Sequence, residues 1–148
     1  MQREPYDEPE IQPDDLIIRR INPKYHVVWD ENRGRYRISS AAFNKTSRPY
    51  AGMSVDIENL ILSAGLDPRV VVTTPIFTGS VVFKASQVRS LGLLVGYEPI
   101  EGDAQVSPNP FHGEVWDNTP RKSFSDAQRR GLASSASWYV ELPDTDIN

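Results

Sequence analysis

The segment Asn109-Pro110-Phe111-His112-Gly113-Glu114 holds the best candidates for proton-transfer chemistry in this sequence. An imidazole titrates near neutral pH and can act as a general acid or base. On a strand, His112 and Glu114 would share a face, because side chains alternate along it. Glu114 could then orient His112 as a base, and Asn109 is a candidate ligand contact. The simpler alternative is a histidine that bonds to the backbone at the start of a strand, with Glu114 as its surface neighbour.

Arg33, Arg35 and Arg37 are spaced by two, so on a strand they would project from one face. Guanidinium groups bind phosphate or carboxylate through paired hydrogen bonds, which predicts contact with a small anionic ligand or an acidic partner. Ser39 and Ser40 follow, and their hydroxyls could bond the same ligand, although a nucleophilic serine would also need an activating base. The alternatives are a solvated hairpin face and a polar turn.

A second basic cluster lies at and within the last predicted helix, at Arg121, Lys122, Arg129 and Arg130. The helix dipole does not favour cations before a helix N-terminus. Their presence there therefore suggests that an anion from outside the chain binds them. A solvated helix face explains the same residues.

Common cofactor and metal motifs are missing. The chain has no cysteine and two histidines, His26 and His112, neither with a second ligand at helical spacing. Glycine-rich phosphate loops and a nucleophile elbow are also absent from the sequence. We therefore predict no metal and no cofactor, and we expect His26 to be structural.

The 148 residues suit one domain, and the acidic residues are unevenly distributed. Residues 1–15 carry six acids and one base, whereas the rest of the chain carries 15 bases and 14 acids. Proline and acid content predict a disordered tail over 1–13, a single α+β domain over 14–143 and a frayed end over 144–148. The near-neutral body argues against extended nucleic acid as a partner. Short apolar runs and the lack of cysteine predict a cytoplasmic protein without membrane contact.

The elements that position these residues are short. Apolar spacing predicts strands such as Leu16–Ile21 and Tyr25–Trp29, with a third possible over Val70–Val72. Ile57, Leu60, Ile61 and Ala64 predict a helix, with Ser54 or Asp56 as its N-cap. Ser125 and Gln128 match a capping box for a last helix that extends to about Trp138. The predicted fold is α+β, a mixed or mainly antiparallel sheet of five or six short strands with two principal helices.

Five segments together resemble a group of small uncharacterised bacterial proteins: Arg19-Arg20-Ile21, Val27-Val28-Trp29-Asp30-Glu31-Asn32, Ile38-Ser39-Ser40-Ala41-Ala42-Phe43, Met53-Ser54-Val55 and Asn109-Pro110-x-His112. In that group an Arg-Pro-Ser-Ser-x-Ala-Phe segment precedes a Ser-Val step and a Pro-x-His segment. This chain has isoleucine, Ile38, where the group has the proline. The resemblance covers roughly Leu16 to Val140. It implies a bacterial or phage origin and one domain, and it implies no activity.

Three functions fit these observations. The first is a non-catalytic binding or accessory protein of a bacterium or phage that engages a protein partner or a small anionic ligand. The second is an enzyme acting on a nucleotide or other phosphate-bearing substrate, with His112 as acid/base, Glu114 orienting it and the arginines holding the anion. That enzyme requires His112 and the arginines to line one pocket. The third is a structural subunit of a larger assembly.

Overall fold

The computed structural model describes residues 4–45 and 52–148, and these residues form an α+β fold. The strands are β1 Leu16–Ile21, β2 Val27–Asp30, β3 Arg35–Ile38, β4 Met53–Ile57, β5 Gly79–Lys84, β6 Leu94–Tyr97, β7 His112–Trp116, β8 Ser137–Val140 and β9 Thr145–Asp146. The helices are α1 Pro23–His26, α2 Glu58–Ser63, α3 Pro68–Val71, α4 Ala85–Arg89 and α5 Asp126–Ser135, with a 3-10 turn over Ser40–Ala42.

Six strands form one antiparallel sheet in the order β6-β7-β4-β1-β5-β8. The remaining three form a second sheet in the order β2-β3-β9, in which β2 is antiparallel to β3 and β9 is parallel to it. The predicted α+β class and the mainly antiparallel sheet are therefore confirmed. The separate three-stranded sheet was not predicted.

The two faces of the six-stranded sheet differ in chemistry because its strands alternate. The first face carries Ile17, Ile57 and Val115, which pack in the main core with side chains of the β2–β3 hairpin and of α4 and α5. The second face carries Ile18, Asp56 and His112, since Ile18 pairs with Asp56 and Asp56 pairs with His112 across the strands. A smaller apolar cluster around Ile18, with Ile61 and Val72 from the α2–α3 region, covers part of the second face.

Residues 6–8 cover the outer edge of β6, which corrects the prediction of a disordered tail for the described part of that segment. The amide of Val95 donates to the Asp7 carboxylate at 3.1 Å. The Val95 carbonyl accepts from the Glu8 amide at 2.9 Å. The amide of Tyr97 donates to the Tyr6 hydroxyl at 2.8 Å, and that hydroxyl donates to the Tyr97 carbonyl at 3.2 Å. The outward backbone groups of β6 are thus paired.

Two further contacts hold this segment against the sheet. The Asp7 carboxylate forms an ion pair with Arg89 of α4 at 3.0 Å. Ile11 lies in the main core with 1% of its surface exposed. The prediction of a disordered tail used only acid and proline content, which does not register specific contacts such as these. Residues 1–3 lie outside the described residues.

Residues 144–148 also make ordered contacts, where we predicted a frayed end. Thr145 and Asp146 pair with Tyr36 and Arg37 of β3, and Ile147 packs against the main core. The Asn148 side-chain amide donates to the carbonyl of Ala133 in α5 at 3.0 Å. The composition of this short polar stretch does not indicate that it contacts β3 and α5, which are distant in sequence.

Both principal helices are present, although their neighbours differ from prediction. The helix around Leu60 is α2, but its N-cap is Ile57, while Ser54 and Asp56 lie inside β4. The capping box of α5 is confirmed, with the Ser125 hydroxyl accepting from the Gln128 amide at 3.1 Å. That helix ends at Ser135, and the apolar residues beyond it form β8.

Two predicted strands are partly or wholly helical. Val70 and Val71 belong to α3, which Asp67 caps and Pro68 begins, and this local signal outweighs the β-branched side chains. Tyr25 and His26 belong to α1, so β2 begins only at Val27. Within the described ranges, no helix is long and apolar enough to cross a membrane.

Candidate functional site

His112 lies in a buried polar cluster on the second face, which we call the Asp56 cluster (Arg20, Asp56, Asn109 and His112). The Arg20 guanidinium binds the Asp56 carboxylate at two points, at 2.8 and 3.1 Å. The Asn109 side-chain amide adds a third hydrogen bond to that carboxylate at 2.9 Å. Asp56 is 3% exposed, and these three donors compensate its buried charge. The cluster joins β1, β4 and the loop before β7.

The His112 imidazole bonds to the backbone and is largely buried. Its Nδ1 lies 2.6 Å from the Glu98 carbonyl oxygen, which can only accept, so Nδ1 carries the proton. Burial lowers the pKa of His112 and outweighs the opposite effects of that hydrogen bond and of the nearby Asp56 charge. The backbone of Glu98, and not the Glu114 carboxylate, therefore orients Nδ1. This agrees with the backbone-bonded alternative.

Glu114 shares the second face with His112, as the alternation of β7 predicts, and is almost completely buried. Its charge interacts with Arg19, whose side chain donates to the backbone carbonyls of Ala42 at 2.9 Å and Ser54 at 3.0 Å. Burial lowers the pKa of Arg19 to about 10 despite the nearby acids. Sequence reasoning missed Arg19, because nothing in the β1 pattern distinguishes a partly buried arginine from a solvated one.

The arginines lie on the other side of the molecule, around a cavity of about 270 Å³ that we call the arginine pocket. Its charged and hydroxyl-bearing lining side chains are those of Arg33, Arg37, Arg129, Arg130, Asp30 and Ser40. Ile38 and Phe43 of the main core also line it. The hairpin and α5 supply its arginines, and Ser40, Phe43, Ile147 and Asn148 complete the lining. The structure thus brings Arg33 and Arg37 of one predicted basic cluster together with Arg129 and Arg130 of the other.

Carboxylates already contact Arg33, Arg35 and Arg37, which we call the arginine ladder. Asp30 lies 3.3 Å from Arg37 and 3.7 Å from Arg33. Asp146 lies 3.1 Å from Arg35 and 3.8 Å from Arg33. Neither acid was predicted to pair with the ladder, although Asp30 precedes it by only a few residues. These partly exposed pairs are weak and partly neutralise the hairpin arginines.

The two arginines of α5 are less compensated. Arg129 pairs with Asp126, and its Nε is buried with no hydrogen-bond partner in the described part of the chain. Arg130 makes no ion pair with any described residue. The arginine pocket therefore retains positive charge after its internal pairs are formed.

The remaining candidate residues lie outside the arginine pocket. Arg35 lines a neighbouring cavity of about 520 Å³ with Trp138 and Asp146. Ser39 caps the 3-10 turn, its hydroxyl accepting from the Ala41 amide at 3.2 Å. His26 is structural, as expected, because its Nδ1 accepts from the Asn22 amide at 3.0 Å. Of the predicted ligand contacts, Arg33, Arg37 and Ser40 come together, whereas Asn109 lies in the Asp56 cluster.

The joint site that the enzyme hypothesis requires is not formed. His112 projects from the second face of the six-stranded sheet. The arginine pocket instead borders Ile38 and Phe43, which pack with the first face. In the described ranges no group of three or more histidine or acidic side chains is arranged to hold a metal ion. The strongest candidate site is therefore the arginine pocket.

Comparison with protein-family models, with curated proteins and with solved structures finds no match to this chain.

Proposed function

We propose that this chain is a non-catalytic binding protein that takes an anionic group, of a small ligand or of a protein partner, into the arginine pocket. The observation that carries the proposal is the meeting of Arg33, Arg37, Arg129 and Arg130 around one cavity. Guanidinium groups stay protonated and cannot transfer protons at neutral pH, which supports binding without catalysis. A bacterial or phage source remains an expectation based on the resemblance described above.

The physical properties of the pocket fit a phosphate-like or carboxylate group. Paired guanidinium donors match the geometry of such anions. Arg130 has no competing carboxylate among the described residues, and Ser40 adds a hydroxyl. The apolar wall of Ile38 and Phe43 excludes water on one side, so charge interactions there are screened less than in bulk solvent. A cavity of about 270 Å³ suits one small anionic group.

Isothermal titration calorimetry with inorganic pyrophosphate tests the proposal. We expect measurable binding by the wild type and a loss of about tenfold or more in Arg37→Gln and in Arg130→Gln, since a hydrogen bond to a charged group contributes about 1.5–3 kcal/mol. Arg121→Gln is the matched control, because its guanidinium bonds Thr119 and lies outside the pocket. Equal weakening in all three variants would indicate only a general charge effect. No binding by the wild type at millimolar pyrophosphate would reject the proposal.

A further inference from the structure

The short segment Thr145–Asn148, which we call the strap, lies across the arginine ladder. It pairs with the edge of β3 through Tyr36 and Arg37. Its Asp146 carboxylate lies between two guanidinium groups, 3.1 Å from Arg35 and 3.8 Å from Arg33. The Arg33 guanidinium also donates to the backbone carbonyl of Asn148. The strap therefore gives the ladder the kind of acidic contact that the proposed function expects of a ligand.

The strap also forms a wall between two cavities, of which only the arginine pocket is mainly basic. Ile147 and Asn148 line both the arginine pocket and the neighbouring cavity that contains Arg35. Arg35 lines one of these cavities, whereas Arg33 and Arg37 line the other. Without the strap, the edge of β3 that β9 covers would be open to another extended chain.

The strap has few strand pairings compared with the six-stranded sheet, and its other contacts include the buried Thr145 and the Asn148 hydrogen bond to Ala133. Strand β9 has two residues, and its ion pairs involve side chains that are one-third exposed for Asp146 and about half exposed for Arg33 and Arg35. Exposed pairs of this kind contribute little each. The apolar anchor is Ile147, which is only partly buried. Exchange of the strap for a similar segment would leave the main core in place.

We propose that the strap is an internal competitor, and that the natural occupant of its position is an extended acidic segment of a partner protein. That segment would add to the β3 edge as β9 does and place a carboxylate where Asp146 lies. Backbone pairing would supply affinity, and the arginine ladder would select an acidic side chain. Because the strap is tethered, it competes at an effective concentration of about millimolar. This inference rests on the proposed function and adds the class of partner and the regulation of the site.

The test uses the 148-residue chain and a fluorescently labelled synthetic peptide, Glu141–Asn148 of this chain, as the probe. Fluorescence anisotropy is measured for the wild type, for Asp146→Asn and for Asp144→Asn. Asp146→Asn removes the charge that holds the strap on Arg33 and Arg35. Asp144→Asn is the matched control, because it makes the same charge change next to the strap at a residue with φ of 54°, which asparagine tolerates. A second peptide carries Asp146→Asn itself.

We expect Asp146→Asn protein to bind the acidic peptide up to about fivefold more tightly than the wild type, the change that corresponds to about 1 kcal/mol for an exposed ion pair. Asp144→Asn protein should match the wild type, and the altered peptide should bind all three proteins weakly. Equal peptide affinity for the wild type and Asp146→Asn would overturn the competitor role. Pyrophosphate binding without peptide binding would overturn this inference and leave the proposed function standing. Binding of neither probe would overturn both.

Discussion

Replacement of Lys45 by methionine gives the sharpest test of how this fold compensates buried charge. The Lys45 ammonium lies 2.5 Å from the Asp117 carboxylate, and each side chain is 2% exposed. The ammonium also donates to the backbone carbonyls of Thr119 at 3.3 Å and Arg121 at 2.7 Å. Lys45→Met keeps a long apolar side chain but removes all three interactions.

The expected loss in the free energy of unfolding comes from the Asp117 carboxylate, which stays buried in the variant. The second oxygen of Asp117 already has no hydrogen-bond partner among the described residues, so the variant leaves a buried carboxylate supported mainly by the Thr119 amide at 3.1 Å. Breaking one side of a buried ion pair costs about 3–5 kcal/mol. Replacing both partners removes the unpaired charge, so Lys45→Met with Asp117→Leu should cost much less than Lys45→Met alone.

The pH dependence of the loss gives a second, independent signature. In the wild type, burial alone would raise the pKa of Asp117, but hydrogen bonds from Lys45 and Thr119 lower it below its ordinary value. That stabilisation is present above the unfolded pKa and is lost as pH falls through the folded pKa. Without Lys45 the effect of burial dominates and raises the pKa, so the variant gains stability relative to the wild type as pH falls. The difference between the two proteins should therefore shrink in acid.

Urea unfolding followed by tryptophan fluorescence at neutral and acidic pH measures both effects. A midpoint shift with an unchanged urea dependence reports stability alone. A loss below about 1 kcal/mol, within the range of surface pairs, would refute the argument that the pair is buried and essential. A loss that stays constant from neutral to acidic pH would refute the assignment of the cost to the Asp117 charge.

Two further predictions concern groups outside this pair. Burial, with a smaller effect from the Arg19 charge, lowers the pKa of His26 to about 4. Between about pH 6.5 and 4 the folded state therefore binds fewer protons than the unfolded state. Stability should then fall as pH drops from about 6.5 toward 4, and thermal unfolding of His26→Asn should show a smaller fall; identical slopes would contradict this assignment. Tyr6→Phe removes the hydroxyl that pairs both backbone groups of Tyr97, and we expect a loss of about 1 kcal/mol with faster exchange of the Tyr97 amide hydrogen. Tyr25→Phe, at a side chain 66% exposed, serves as its control, and equal losses in both variants would contradict the edge contact.

Local patterns predicted the elements whose determinants lie close together in the sequence. The capping box of Ser125 and Gln128 marked the start of α5, and apolar spacing marked α2. The Asp67-Pro68 step that begins α3 was an equally local signal, but the run of valines favoured a strand instead.

Contacts between distant residues could not be predicted in this way. The acid that contacts Arg35 is Asp146, and the arginines that complete the pocket of Arg37 lie on α5. The alternation of the ladder indicated an anion site, but only the packing of α5 against the hairpin region decides which arginines meet. His112 was recognised by residue type, yet its face of the sheet depends on strand order, which no local pattern encodes.

The cover on β6 has a consequence for the order in which the chain is made. Residues 6–8 are synthesised long before Val95 and Tyr97, whose backbone groups they pair. Until β6 is synthesised, these residues have no strand edge to pair with, and their acidic side chains stay hydrated. Once β6 forms, the segment is already tethered nearby and can pair the exposed edge before another nascent chain does. A stretch composed like a solvated tail would thus act as a safeguard against association between chains that are still folding.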